Sequence, residues 1–173
     1  MKHDNCTFNL HYKTIEWQRS VVVLIGLLLT CIFWPTHSFS QESEPEYDEI
    51  SVFLSVPRIG GTEVSALLKG ETIYISITDL FSFLKINNSS TASFDKVSGF
   101  FLNQADAYEI DRVNNKILYK KKTYQLNPGD LMRTETNLYL KINYFGEIFG
   151  LECTFNFRSL TVTLNTKIDL PVI

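Results

Sequence analysis

Short alternating runs dominate the pattern of hydrophobic and polar positions after residue 49. Residues 50–56 place apolar side chains at every second position, residues 62–68 form a second strand-like run, and residues 71–77 place Ile73, Ile75 and Ile77 on one face. A period of two is typical of β-strands, because successive side chains of a strand point to opposite faces. Residues 57–61, PRIGG, separate the first two runs and predict a turn. The pattern therefore predicts a protein built mainly of short strands.

Two segments break this alternation and show helical spacing. Each has three large apolar residues on one face of a helix of about two turns, which forms only when that face packs on a sheet. The stripes are Leu80, Phe83 and Leu84 within 78–85, and Phe145, Ile148 and Phe149 within 143–150.

The ends of both predicted helices carry recognisable start and stop signals. Thr78 and Asn143 are residue types that cap helix N-termini, and Asp79 suits the positive start of the first helix. Gly150 is suited to end the second helix in the left-handed conformation.

The two helical segments belong to an internal repeat. Residues 72–86 align without gaps on residues 137–151, and Tyr74 then matches Tyr139. Each copy is predicted to read strand, short helix, hairpin; the copies are 72–104 and 137–166, with hairpins over 94–102 and 155–164.

Between the copies the chain predicts a β-meander with strands at 107–111, 116–119 and 123–126, followed by a turn at 127–130. The polar segment Asn87–Ser90 is interpreted as a loop. The predicted fold class is α+β and strand-dominated, with two pseudo-repeated strand–short helix–hairpin units joined by this meander.

The first 40 residues have the parts of a secretory signal peptide. Residues 21–34 are uncharged and largely apolar, Arg19 precedes them, and Ser38 and Ser40 provide a small-x-small end before Gln41. We predict export to the periplasm or outer membrane, with cleavage before Gln41. The long basic region before the apolar run keeps an uncleaved inner-membrane signal anchor as the alternative. Residues 41–49 are predicted to be an acidic flexible lead-in, and 50–173 the β-rich domain.

Removal of this leader would restrict the available chemistry. The chain has 173 residues and a net charge of −3, and all three histidines lie within the first 40 residues. We therefore expect no histidine-dependent catalysis, no cofactor and no metal site in the mature chain. An acidic exported chain is also a poor binder of nucleic acid. Cys153, the one cysteine left, is interpreted as a buried and unreactive thiol.

Two charged groupings are candidate sites. Asp106, Glu109 and Asp111 could supply a calcium site or a carboxylate pair, or form an exposed strand face. Lys120–Lys122 is interpreted as a solvated hairpin turn, with contact to an anionic surface as the alternative.

Tyrosines provide the candidate ligand or partner surface. Six of them could form a stacking platform for glycan or peptide, or pack within the sheets. They are Tyr74, Tyr108, Tyr119, Tyr124, Tyr139 and Tyr144.

The repeated pattern resembles the copper amine oxidase N-terminal-like domain, here in tandem. The matching residues are 73–77 with 79–86, and 138–142 with 145–151; Ser76 and Lys141 replace the proline expected after the strand. The resemblance implies a non-catalytic extracytoplasmic module without copper ligands. The arrangement is also similar to N-terminal periplasmic regions of large Gram-negative outer-membrane proteins, including usher-like ones. The apolar end at 168–173 fits a chain that continues.

These observations predict a non-catalytic structural or protein-interaction module of the cell envelope, the N-terminal periplasmic domain of a larger outer-membrane protein. Its partner would be an envelope protein or a downstream β-barrel domain. The alternative is a module that binds cell-wall glycan or peptidoglycan through surface tyrosines, and an enzyme using the carboxylates is the third possibility. The interaction module predicts strand edges open to partner strands.

Overall fold

The structure is a computed structural model and describes residues 46–167 and residue 170. The predicted leader over 1–40, its cleavage site before Gln41 and most of the apolar end over 168–173 lie outside the described residues. Within the described part of the chain, no helix has the length and apolar character needed to cross a membrane.

Within residues 46–167, twelve strands form two sheets. The larger sheet contains β1 (Asp48–Val56), β2 (Gly60–Lys69), β3 (Thr72–Ser76), β9 (Leu131–Arg133), β10 (Leu138–Lys141), β11 (Leu151–Asn156) and β12 (Thr161–Thr166). Their order across the sheet is β11-β12-β1-β2-β3-β10-β9. Strands β1 and β12 are parallel, and the other neighbours are antiparallel.

The smaller sheet is an antiparallel meander. Its strands are β4 (Asn87–Ser90), β5 (Lys96–Phe100), β6 (Ala107–Asp111), β7 (Lys116–Tyr119) and β8 (Lys122–Gln125), which lie side by side in this order. The three predicted meander strands are confirmed as β6, β7 and β8. The prediction of a loop at Asn87–Ser90 is wrong. This polar segment pairs with β5 in antiparallel register. Its strand conformation therefore depends on backbone pairing and not on an alternation of apolar side chains.

Strand β1 begins within the predicted lead-in. Asp48 and Glu49 pair with Leu68 and Leu67 of β2, so these two acidic residues are ordered in the sheet. Their side chains are exposed, which explains why their composition alone suggested a flexible segment.

The two predicted helices are present. Helix α1 (Ile77–Phe83) follows β3 directly, and helix α2 (Asn143–Phe149) follows β10 after the single residue Ile142. A short 3-10 helix covers Gln104–Asp106. Gly150 ends α2 with φ 73°, as predicted. The strand-dominated α+β class is thereby confirmed.

Both predicted N-caps are wrong. Ser76, the last residue of β3, caps α1 by accepting a hydrogen bond from the Asp79 amide at 3.3 Å. Thr78 already lies inside the helix, and its hydroxyl donates to Asn137 Oδ1 at 3.0 Å. Asn143 is the first residue of α2, where its side-chain amide donates to Glu147 at 2.7 Å and no side-chain cap is formed. In each case the helix starts earlier because it continues a buried strand without an intervening loop.

The main hydrophobic core includes the inner faces of both sheets and of both helices. A second, smaller cluster of Leu67, Tyr74 and Tyr139 is separate from it. Phe81 of α1 lies at the centre of the main core and contacts four other rings edge to face, with centroid distances of 5.1–6.1 Å. These rings are Phe101, Tyr108, Phe145 and Phe149. The aromatic cluster therefore joins both helices to the smaller sheet.

The two strand–helix units meet in the larger sheet beside its edge strand β9. Strands β3 and β10 are antiparallel neighbours, with Ile75 opposite Leu140. The hairpins that follow α1 and α2 differ in position, since β4–β5 belongs to the smaller sheet and β11–β12 to the larger. The hairpin predicted over 94–102 is wrong. The single strand β5 covers most of this segment from Lys96, and the turn that joins it to β4 lies earlier, at 91–95.

Candidate functional site

Four of the six candidate tyrosines are buried. Tyr108 and Tyr119 pack in the aromatic cluster beside Phe149, while Tyr74 and Tyr139 pack on the opposite face of the larger sheet. The Tyr139 side chain has 0% exposure, and its hydroxyl donates to Glu49 at 3.0 Å. The prediction of a ligand surface made of these tyrosines is therefore wrong for these four. Aromatic side chains bury large apolar areas, so packing them in the core is strongly favourable.

The other two candidates, Tyr124 and Tyr144, are half-buried and do not form a pair. Tyr124 lies on the edge strand β8 beneath the ammonium group of Lys122, 4.7 Å from its ring centroid. Tyr144 lies in α2 and donates a 2.6 Å hydrogen bond to the buried Asp130. That bond raises the pKa of Tyr144 to about 12. The fold leaves no shared tyrosine platform among these six residues.

The candidate carboxylates are each held by a cation. Asp106 forms a 3.0 Å ion pair with Lys120. Glu109 and Asp111 both pair with Lys96, at 3.2 Å and 3.0 Å. Within the described ranges no group of three metal-ligating side chains comes together. These ion pairs separate Asp106, held by Lys120, from Glu109 and Asp111, which share Lys96.

Asp111 is the most buried of these acids, at 1% exposure. Burial alone would raise the pKa of its carboxyl group, but two hydrogen bonds from Asn114 and the ammonium of Lys96 outweigh this and lower the pKa to about 2. The residue holds the turn between β6 and β7, which is a structural role.

Cys153 lies in β11, half-buried against the core. Burial raises the pKa of its thiol to about 12, so at neutral pH the nucleophilic thiolate form is negligible. This supports the interpretation of an unreactive thiol.

A surface pocket of about 560 Å³ lies where the β1–β2 turn meets the end of β12. Residues 56–59 and 164–166 line it, with Arg58 as the charged group among them. No carboxylate, histidine or cysteine belongs to this described lining, so the pocket offers no acid–base pair.

The basic run forms the predicted hairpin turn between β7 and β8. Lys120 and Lys121 both have positive φ, 49° and 65°, as a two-residue turn of this hand requires. Lys120 is paired with Asp106, which leaves Lys121 and Lys122 exposed at the edge of the smaller sheet.

The two sheets end in four edge strands, and three of them carry features that discourage pairing. An edge strand presents unpaired N–H and C=O groups, which proteins protect by short length or by lysines. Strand β9 has three residues, and β8 begins with Lys122. Strand β4 has four residues, and its Asn88 side chain donates to Ser82 and to the Ile86 carbonyl.

Strand β11 is the unprotected edge. It has six residues, contains no lysine or proline, and pairs with β12 along its whole length. Among the described residues no strand pairs with its other side. Exposed polar residues alternate with half-buried apolar ones along its open part: Glu152, Thr154 and Asn156 on one face, Cys153 and Phe155 on the other.

Aromatic rings extend this edge towards the β11–β12 turn. The Phe155 and Phe157 rings lie 4.6 Å apart at 63°, and Phe157 is 50% exposed. At the other end of the strand, α2 packs closely against Glu152. The approach is such that a Cβ atom added to Gly146 would lie 3.5 Å from the Glu152 Cα. The open edge therefore runs from Cys153 to Phe157, and we take it as the candidate functional site.

The sequence contains the hairpin that forms this edge, but it does not show that β11 is the outermost strand. That position depends on β12 pairing in parallel with β1, a contact between residues more than 100 positions apart. The exposure of Phe157, which follows this run, is likewise known only from the structure.

Comparisons with known proteins give no relative for this chain: no family model matches it, and no similar curated protein or solved structure was found.

Proposed function

We propose that this chain is a non-catalytic interaction module of the cell envelope, and that it docks through the β11 edge by strand addition. The observation that carries the proposal is the six-residue edge strand without lysine or proline, bordered by the exposed Phe157. In strand addition, main-chain hydrogen bonds provide affinity and alternate side chains provide specificity. The alternation of Thr154 with Phe155 suits both requirements.

The envelope location rests on the sequence. The predicted signal peptide directs the chain to the periplasm, and the resemblance to the copper amine oxidase N-terminal-like domain implies a non-catalytic extracytoplasmic module. We place it as the N-terminal periplasmic domain of a larger outer-membrane protein. The antiparallel pairing of β3, which leads into α1, with β10, which leads into α2, is consistent with the proposed tandem repeat.

Cell fractionation tests the location. We expect N-terminal sequencing of the protein from envelope fractions to begin at Gln41, and its intact mass to exceed that of residues 41–173. Recovery from the cytosol with Met1 retained would contradict the proposal. A start at Met1 in the inner membrane would support the signal-anchor alternative.

Site-specific photocrosslinking in intact cells tests the docking edge. A photoreactive amino acid at Thr154 should give a discrete crosslinked product. The same group at Thr123, an exposed threonine on the edge strand β8, is the matched control and should give none. Equal products at both positions, or none at Thr154, would refute docking at β11.

A further inference from the structure

Positive charge is concentrated at one end of the smaller sheet. The register of the meander places the start of β4 and the β7–β8 turn at the same end, at the two outer strands of the sheet. Lys85 lies two residues before β4, Lys120, Lys121 and Lys122 follow β7, and all four residues are exposed. Neighbouring strands lie about 4.8 Å apart, so about 19 Å separates β4 from β8. The four lysines, which we call the basic end, therefore border the whole width of the sheet.

Most of this charge has no acidic partner in the described part of the chain. Asp106 pairs with Lys120 at 3.0 Å, and within residues 46–167 no carboxylate pairs with the other three lysines. At the opposite end of the same sheet, by contrast, Lys96 pairs with Asp111 at 3.0 Å. The whole chain has a net charge of −3, so the basic end is opposite in sign to the molecule that carries it.

Three of these lysines occupy backbone conformations that favour glycine. The φ angles are 58° at Lys85, 49° at Lys120 and 65° at Lys121. Glycine or asparagine is the usual residue in this left-handed region, because a longer side chain is sterically unfavourable there. The local backbone therefore does not explain the choice of lysine, and the ammonium group is what distinguishes lysine from the residues that the turns favour.

An exposed apolar side chain lies beside the basic turn. Leu102, in the loop between β5 and β6, is 47% exposed. Two contacts hold this loop next to Lys120: the ion pair with Asp106, and a 3.2 Å hydrogen bond from the Lys120 amide to the Ala107 carbonyl. Lysines next to an apolar side chain suit the surface of an anionic bilayer, where ammonium groups meet the headgroups and the apolar group enters the boundary with the acyl chains.

We infer that the basic end, with Leu102 beside it, binds the surface of an anionic phospholipid membrane. Charge complementarity selects this partner, and the negative charge of the rest of the chain turns the basic end towards the membrane. Each lysine near such a surface strengthens the partition by roughly fivefold. The inference goes beyond docking at β11, because it concerns a different surface and neither binding event depends on the other.

Co-sedimentation of the full chain with lipid vesicles tests the inference. The measured quantity is the excess of binding to phosphatidylcholine and phosphatidylglycerol in equal parts over binding to phosphatidylcholine alone, which cancels uncharged contacts of the apolar run 21–34. This excess should disappear at about 1 M salt, where the screening length is about 3 Å. The triple variant Lys85→Gln, Lys121→Gln, Lys122→Gln should reduce the excess about a hundredfold. Leu102→Ser should reduce binding by a few-fold, roughly, because the apolar contact is lost.

A matched control removes three cations from the larger sheet and its turns. The triple variant Arg58→Gln, Arg158→Gln, Lys167→Gln changes the net charge by the same amount and should retain most of the excess. Lys121→Gly separates binding from folding. It removes one charge and relieves the left-handed conformation, so it should raise the denaturation midpoint while reducing the excess roughly fivefold.

Three results would overturn the inference. They are equal binding of the native chain to both kinds of vesicle, equal losses in the two triple variants, or displacement from the vesicles by free glycerol phosphate. The last result would indicate a site for a single phosphate group in place of a membrane surface. The photocrosslink at Thr154 tests docking at β11 separately, so failure of either proposal leaves the other standing.

Discussion

The backbone amide of Ser65 donates a 3.0 Å hydrogen bond to the carboxylate of Asp79. Strand β3 pairs with β2 only as far as Ile75 opposite Ala66, because the chain then turns into helix α1. The next amide along β2, that of Ser65, would have no strand partner on this side. Asp79 supplies the missing acceptor, and its own amide is held by the Ser76 cap. One residue thus joins the end of a strand ladder to the start of a helix.

Loss of this carboxylate should destabilise the fold. We expect Asp79→Ala to lower the free energy of unfolding by about 1–2 kcal/mol, because the Ser65 amide would lose its acceptor. Asp79→Asn retains a side-chain oxygen and should lose less. Urea denaturation measures both. Glu147→Ala, which removes an exposed acid from the other helix, is the control and should change stability by less than about 0.5 kcal/mol. Equal losses for Asp79→Ala and Glu147→Ala would contradict this role.

The aromatic cluster should dominate the stability of the core. Phe81 is fully buried and contacts four rings, so Phe81→Ala should cost about 3–5 kcal/mol. Phe157→Ala removes a ring of the same size that is half exposed, and should cost about 1 kcal/mol or less. Thermal and urea unfolding of the two variants provides the comparison. A Phe157→Ala loss as large as that of Phe81→Ala would place the centre of the core elsewhere.

Replacement of Gly99 and of Gly146 by alanine should change the stability of the protein in opposite directions. A methyl group on Gly99 would collide with the Asn87 carbonyl, which also accepts a hydrogen bond from Tyr108 at 3.0 Å. We therefore expect Gly99→Ala to break the β4–β5 pairing and to destabilise the protein by more than about 2 kcal/mol. Gly146 lies inside helix α2 with its nearest neighbours at ordinary contact distance, so Gly146→Ala should raise stability by about 0.5–1 kcal/mol. Denaturation midpoints measure both signs, and a stable Gly99→Ala variant would contradict the close approach.

Asp111 should make the protein sensitive to strong acid. The pKa of its carboxyl group is about 2 in the folded chain, below its ordinary value of 3.8. A lowered folded pKa contributes stability that is present above pH 3.8 and is lost as the pH falls from about 4 towards 2. Asp111→Asn should therefore lower the free energy of unfolding at pH 7 by about 2 kcal/mol, and this difference should shrink below pH 4. Unfolding measured across this range tests the expectation. Glu109→Gln, which alters the more exposed partner of the same Lys96, should show little change. A constant difference at all pH values would exclude the titration of Asp111 as its cause.

Local features were predictable where the sequence pattern and the backbone agree. The apolar alternation of 50–56, the helical stripe that contains Phe149 and the left-handed Gly150 all have the predicted conformations. The polar strand Asn87–Ser90 was missed because its side chains do not alternate, and its pairing with β5 provides the reason for its conformation. The helix caps were missed for a related reason. Each helix continues a buried strand, so the start is fixed by where the strand loses its partner.

The tyrosines show the same limit for the candidate site. A tyrosine on a strand can face the solvent or the core, and a shift of one residue exchanges the two faces. Tyr74 and Tyr139 align in the repeat, yet only the packing of Tyr47 and Met132 over them shows that they are covered. The sequence could therefore list aromatic residues but could not place them on a surface.

The sequence by itself determined the strand-dominated class, the two short helices, the basic hairpin turn and the absence of histidine after residue 37, because each depends on residue types within a few positions of one another. The tertiary structure decided which strands lie at the edges. Strand β12 joins the sheet through β1, pairing Thr161 with Phe53, and this leaves β11 outermost. Pairing β12 with β1 closes a long loop, and the entropy lost on closure is offset by the packing of the whole core. No local sequence pattern encodes this contact. The open β11 edge is therefore a property of the folded chain, built from residues whose local sequence predicts only a hairpin.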